Sequence, residues 1–311
     1  MKHVLPYALF EASATAALTA KQIGWLDKCT KREWKLNPQT GLVDVNGDFD
    51  CVDEGLTDFK GVKFGKVSGY FDCKNNQLTS LVGAPQSVGG SFYCSDNQLT
   101  TLEGAPQTVG GSFRCYDNRL TTLVGAPQSV DGTFVCVDNQ LTSLVGAPQT
   151  VNGDFYCADN QLTTLVGAPQ SVDGDFYCQN NELTTLEGAP QTVKGDFYCK
   201  HNHLTSLVGA PQTVGGDFSC SDNELTSLVG APQSVKGGFD CKGNPVSGTT
   251  LYYIFALMRK GIAYQQALEK CWPEMEDEDR VLMYKEMTNL PPEETRKYKA
   301  LATYASIKNY L

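Results

Sequence analysis

From Phe71 to Val235 apolar and polar positions recur in a fixed order, F-x-C-x-x-N-x-L-T-x-L-x-G-A-P-x-x-V-x-G-x, with a period of 21 residues. In each unit the segment Phe, variable residue, Cys has period two. It predicts a short strand with Phe and Cys facing inward and the residues beside them facing outward. Leucine columns from Leu78 to Leu225 and from Leu81 to Leu228, with a valine column from Val88 to Val235, complete the apolar face. A unit this short cannot bury that face alone, so a fixed period of roughly 20 to 30 residues predicts a solenoid whose turns pack on their neighbours. Ten strands stacked at ~4.8 Å predict a parallel sheet on the order of 43 Å long, enough for a protein-sized partner.

Three polar or breaker columns accompany the apolar ones. Asn follows Cys by three positions from Asn76 to Asn244. A column of buried amides there can bond backbone groups of successive turns that a bend would strand. Gly-Ala-Pro, as at Gly83, Ala84 and Pro85, excludes a helix on the return side, because proline lacks an N–H and biases its predecessor to extended backbone. The convex side is therefore expected to be extended. A closing Gly, such as Gly174, supplies the turn into the next strand.

The flanks differ from the repeats and divide the chain into 1–45, a capping region, 46–246, the solenoid, and 247–311, a helical cap or extension. Ala20 to Cys29 reads as a short helix. Trp34-Lys-Leu, the turn Asn-Pro-Gln-Thr-Gly and Leu42-Val-Asp-Val read as a hairpin. Residues 46 to 66 read as a degenerate first turn, with Glu54 at the Asn position and Phe59 at the second Leu. After Ser247, helical segments are expected near 250–260, 263–271, 276–288 and 292–310, punctuated by Gly261 and Pro291-Pro292. Exposed apolar faces at a solenoid's ends need such caps.

The spacing of strand, Asn and paired Leu resembles the leucine-rich repeat, with Phe and Cys standing where that family usually has Leu. The resemblance covers about two-thirds of the chain. The phrasing F-x-C-x-x-N-Q-L-T-[ST]-L-x-G-A-P, preceded by Trp34-Lys-Leu-Asn-Pro-Gln-Thr-Gly-Leu-Val-Asp-Val45, is similar more narrowly to short leucine-rich repeat proteins of bacteriophages and prophages. That resemblance implies a non-enzymatic protein-binding scaffold that sequesters or inhibits a host factor in the bacterial cytoplasm. The alternatives are a virion-associated or adhesive surface protein, and an effector whose C-terminal region is enzymatic.

Ten of the twelve cysteines form one ladder from Cys51 to Cys241, each in an apolar column beside Phe. Their side chains project in parallel, a poor geometry for disulfides, so they are expected to be reduced and to act as small hydrophobes. That favours a reducing compartment. Lys2 and the apolar residues after it raise the possibility of a leader, but Pro6 and Glu11 interrupt them. No stretch is long enough to span a bilayer. Cys271, in Lys270-Cys-Trp-Pro-Glu-Met, is the one cysteine considered as a nucleophile, and no activating base adjoins it in sequence. His201 and His203 share one repeat without further ligands at metal spacing, so no cofactor or metal is expected.

Information lies where the copies differ. The residue before Cys reads Tyr93, Arg114, Val135, Tyr156, Tyr177, Tyr198 and Ser219, and two positions earlier stand Asp154, Asp175, Asp196 and Asp217. Tyr116 follows its Cys, and a second acidic column contains Asp96, Asp117, Asp138, Asp159 and Asp222. Between residues 75 and 193 eleven acids face only Arg114 and Arg119, giving that stretch nine of the chain's ten net negative charges. Like charges at strand spacing repel. Three readings follow: a solvated polar face, calcium bridging the aspartates, or tyrosine anchors flanked by carboxylates that bind a basic protein surface. The candidate face for the last is Tyr93, Tyr116, Asp154, Tyr156, Asp175, Tyr177, Asp196, Tyr198 and Asp217. Charge disfavours nucleic acid as a ligand.

Overall fold

The computed structural model describes residues 17–31, 33–226 and 228–246. The expected helices beyond Ser247, Cys271, His3 and the leader question lie outside the described residues. Helix α1 (Ala20–Thr30) begins at a capping box in which the Gln22 N–H donates to Thr19 Oγ1 and the Thr19 N–H to Gln22 Oε1. The hairpin follows as read, β1 (Trp34–Leu36) pairing antiparallel with β2 (Val43–Val45). Then come β3 (Phe49–Asp50), β4 (Phe64–Val67) and β5 (Phe71–Asp72). From β6 (Ser87–Val88) and β7 (Phe92–Tyr93) to β20 (Ser234–Val235) and β21 (Phe239–Asp240), two-residue strands alternate.

These strands make two sheets. The even-numbered strands, with β1 at their edge, form an 11-stranded sheet, and the odd-numbered strands from β3 form a 10-stranded one. All pairings except β1 with β2 are parallel, and all of these but β2 with β4 keep one register, as in Phe155↔Phe176 and Val130↔Val151. The return side is extended, as expected, but the single sheet is a correction: each Ser/Thr-Val pair builds a second one. Only three residues, such as Gly89, Gly90 and Ser91, separate the two strands of a turn, so the sheets meet at a corner.

One spacing departs from the period, the 22 residues between Cys51 and Cys73. The extra residue lies in β4, where Val43 and Val45 pair with Phe64 and Val67 and the register shifts. A bulge absorbs one surplus residue without breaking either ladder. The first turn is therefore complete, with Leu56 and Phe59 buried. Trp25 of α1 closes its open end, packing edge-on against Phe49 at 5.4 Å.

Inside, Phe, Cys and both Leu columns are buried, and neighbouring phenylalanine rings stack, Phe176 on Phe197 at 5.4 Å and 6°. The cysteines of the described residues are free and buried. Several ladder thiols donate to carbonyls of the next turn, Cys157 to Tyr177 at 3.4 Å. Gly125 of Gly-Ala-Pro shows why that column is glycine: φ is +96° and a Cβ would come within 2.5 Å of the Leu102 carbonyl carbon.

The Asn column fastens one turn to the next. Asn160 Nδ2 donates to the carbonyls of Cys136 at 3.0 Å, Cys157 at 3.3 Å and Ala158 at 3.0 Å. Its Oδ1 accepts the Leu141 N–H at 3.0 Å. Two of these four bonds cross to the preceding turn. Replacing it therefore strands buried groups on two turns, at about 1–3 kcal/mol for each unpaired group. Asn160→Ala is expected to destabilise the solenoid by roughly 2–4 kcal/mol, read from urea unfolding by circular dichroism. A loss under about 0.5 kcal/mol would show that water replaces the amide.

Candidate functional site

The outward side of the odd-numbered strands carries four columns, and the corner column is the first. Here Asp154 Oδ1 accepts the Asp175 N–H at 3.0 Å, Asp175 that of Asp196 at 2.7 Å, and Asp196 that of Asp217 at 2.7 Å. Ser91 and Ser112 serve the same N–H positions earlier in the chain, at 3.0 and 3.2 Å. These side chains thus pair backbone donors that the corner between the sheets would otherwise leave open. The preceding glycines fit them closely: a Cβ on Gly195 would lie 2.1 Å from Asp175 Oδ1.

The other carboxylate oxygen binds the tyrosine of its own turn. Tyr156, Tyr177 and Tyr198 donate their hydroxyls to Asp154, Asp175 and Asp196 Oδ2 at 3.2, 3.1 and 3.1 Å. Tyr156 and Tyr177 stack at 4.7 Å and 11°, whereas Tyr198 tilts by 50° against Tyr177 at 4.8 Å. All three rings are half-buried. Both oxygens of Asp154, Asp175 and Asp196 therefore accept hydrogen bonds within the solenoid. That commitment also leaves little for calcium bridging, and among the described residues no group of three or more His, Cys, Asp or Glu is placed to hold a metal ion.

The second acidic column has its own backbone reason. Asp96, Asp117, Asp138, Asp159 and Asp222 have φ between 50° and 54°, as do Asn75 and His201, with Asn180 at 55°. Asn and Asp tolerate this left-handed conformation best among residues with a Cβ. The residue after the Asn column holds a feature that single-repeat reading missed. His203 lies between Glu182, 3.1 Å from Nε2, and Glu224, 2.9 Å from Nδ1, and the bond to Glu224 raises its pKa. Comparing residues 21 apart would have found the triple.

Of the nine candidate residues, seven form one continuous patch, from Asp154 and Tyr156 to Tyr198 and Asp217. Tyr93 and Tyr116 do not join it. Arg114, 5.6 Å over the Tyr93 ring, and Val135 separate Tyr93 from Tyr156, while Tyr116 is half-buried in the column after Cys. Val82, Val124, Val145 and Val166, each one position beyond the second Leu column, are exposed, which their place in the apolar repeat does not announce.

Parallel, in-register turns, stacked Phe columns, buried Leu columns and an asparagine ladder define a solenoid built on two parallel sheets. No family model and no curated protein matches the chain. Among solved structures, it is similar to YopM from Yersinia enterocolitica WA-314, with a TM-score of 0.41 and 15% identity over 73% of this chain and 64% of that one. The chain thus spans less than two-thirds of that protein's length, a likeness that speaks to neither family nor function.

Burial and then the adjacent Asp154 charge push the Tyr156 phenol up to about 12. Burial and then the hydrogen bond to Asp196 do the same for Tyr198, also to about 12. A raised phenol pKa means that the fold prefers the protonated ring. Its stabilisation is whole below pH 10 and disappears as pH climbs from 10 to about 12. Phenolate absorbance should therefore show tyrosines ionising near pH 12 in the folded chain. Asp154→Asn should lower the Tyr156 midpoint without returning it to 10, since burial is the larger cause. An unmoved midpoint would remove Asp154 from the account.

Proposed function

We propose that this chain is a non-enzymatic scaffold that binds a protein with a basic surface on the outward side of the odd-numbered strands. The observation that carries the reading is the Tyr156–Tyr177–Tyr198 stack, held by hydroxyl bonds beside the carboxylates of Asp154, Asp175 and Asp196. Tyrosine offers a large contact area at little ordering cost, and these rings are already fixed. Accepting hydrogen bonds does not neutralise a carboxylate, so a patch of this composition attracts cations and repels phosphate. Residues 46–246 provide the binding body in this reading, and the flanks 1–45 and 247–311 close its ends. Among the described residues no helix is long and apolar enough to cross a membrane. The resemblance of the repeat phrasing to bacteriophage and prophage proteins supports a partner in a bacterial host's cytoplasm, sequestered or inhibited there, with a defence protein as one such target.

Serine is the natural probe of the tyrosine column, because Ser219 already occupies it. Tyr156→Ser combined with Tyr177→Ser is expected to keep the circular dichroism of the solenoid. It should lower retention of the partner by more than about 10-fold, the scale of losing one hot-spot ring. Converting Asp154, Asp175, Asp196 and Asp217 together to Asn keeps Oδ1 as an acceptor, and should weaken capture and flatten its salt dependence. Affinity purification from the native host, comparing wild type with both variants by mass spectrometry, reads the outcome. Proteins retained equally by all three would move the interface off this face.

A further inference from the structure

The tyrosine column stops at Ser219, and the turn that contains it, Ser219-Cys220-Ser221, has serine on both outward positions. Two small side chains leave a recess of about 500 Å3 on the sheet face, walled by Tyr198 below and Asp240 above, with Asp217 at the corner. Lys200 and Lys242 line its far side. In the three preceding turns the corner aspartate accepts a phenol on Oδ2. At Asp217 none of the described residues donates a phenol: its Oδ1 takes the Gly238 N–H, and Ser219 Oγ is 3.4 Å from Ser221 Oγ instead. The ladder therefore continues in its backbone bonds and is missing one planar donor over Tyr198.

We infer that this recess takes the guanidinium of a single arginine from the partner, stacked on the Tyr198 ring and hydrogen-bonded to Asp217. The inference rests on the binding reading above and names the side chain that the face would select. A guanidinium is flat, as the missing ring would be, stacks on aromatic faces, and carries several N–H donors in its plane, so it can meet the open oxygen of Asp217 while covering Tyr198. Stacking needs an exposed ring face. Tyr177 has neighbouring rings on both sides, whereas Tyr198 ends the stack. An ammonium satisfies the charge of Asp217 and Asp240 but not the flat gap. Lys200 and Lys242 oppose a second cation, so the recess suits one arginine rather than a basic run.

The test uses the full chain and N-acetyl-arginine methylamide as probe, followed by the ring resonances of Tyr198. A saturable shift is expected, with the lysine analogue binding more weakly. Asp217→Asn should weaken the arginine probe by about 10-fold, the scale of a hydrogen bond to a charged group. Ser219→Tyr, which fills the gap as in the three turns before it, should abolish binding. If that variant loses the solenoid's circular dichroism, Asp217→Asn decides. Absence of a saturable shift, equal binding of the lysine probe, or unchanged binding by the folded variants would overturn the inference. Because no partner is needed, its failure is separate from that of the binding reading: partner capture that depends on Tyr156 and Tyr177 can persist without arginine binding, and the reverse.

Discussion

Every turn of this solenoid has to bend sharply after its Phe-x-Cys strand, and the bend turns buried backbone groups away from the sheet. The asparagine amide is what pairs them. Asn97 Nδ2 reaches the carbonyls of Cys73, Cys94 and Ser95 at 3.0–3.2 Å, while Oδ1 accepts the Leu78 N–H at 2.9 Å. Each amide thus completes the turn before its own, and no turn is satisfied alone, which couples neighbours in the way repeat proteins require. The exception supports the rule. Glu54 holds the Asn position of the first turn, where no earlier turn offers groups to bond, and its carboxylate meets Lys28 of the capping helix instead.

A second ladder works at the corner between the sheets, and its chemistry separates what folding needs from what it does not. Ser91 and Ser112 accept the next turn's N–H as neutral hydroxyls, as Asp154, Asp175 and Asp196 do with carboxylates. The backbone requires an acceptor there, not a charge. Four aspartates in succession add like charges at strand spacing, which costs a few tenths to about 1 kcal/mol per close pair when unrelieved. Their phenol partners relieve only part of that. The charge on this face is therefore surplus to the fold, whereas the acids with left-handed backbone have a local conformational reason as well.

How far the sequence could be read follows from how many residues carry each signal. Phe, Cys, Asn and the two Leu columns recur in turn after turn, so the solenoid, its buried cysteines and its asparagine ladder are legible in the sequence alone. The second sheet was not, because a two-residue strand such as Ser129–Val130 is too short to show alternation, and its pairing exists only between turns. The bulge in β4 was visible as a 22-residue spacing but not as to where the surplus residue went. For the candidate face, the tyrosine register was legible. The engagement of its aspartates was not, since a side chain that bonds the residue 21 positions ahead looks solvent-facing within its own repeat.

On the proposed reading, that double engagement also fixes the kind of recognition this face would perform. The rings cannot adapt: each hydroxyl is tied to its aspartate, and Tyr177 is enclosed by Tyr156 and Tyr198. Stacked rings present mostly edges to solvent, which carry partial positive charge, while the faces with attractive π density are covered. Cation–π contact is then confined to the end of the stack. Discrimination along the middle falls to shape and to the carboxylates. A rigid surface of this sort loses little entropy on binding but tolerates few mismatches. Changing specificity would mean changing which turns carry Tyr and which carry Ser, a substitution that the Asn, Phe and Leu columns permit because they hold the fold without either.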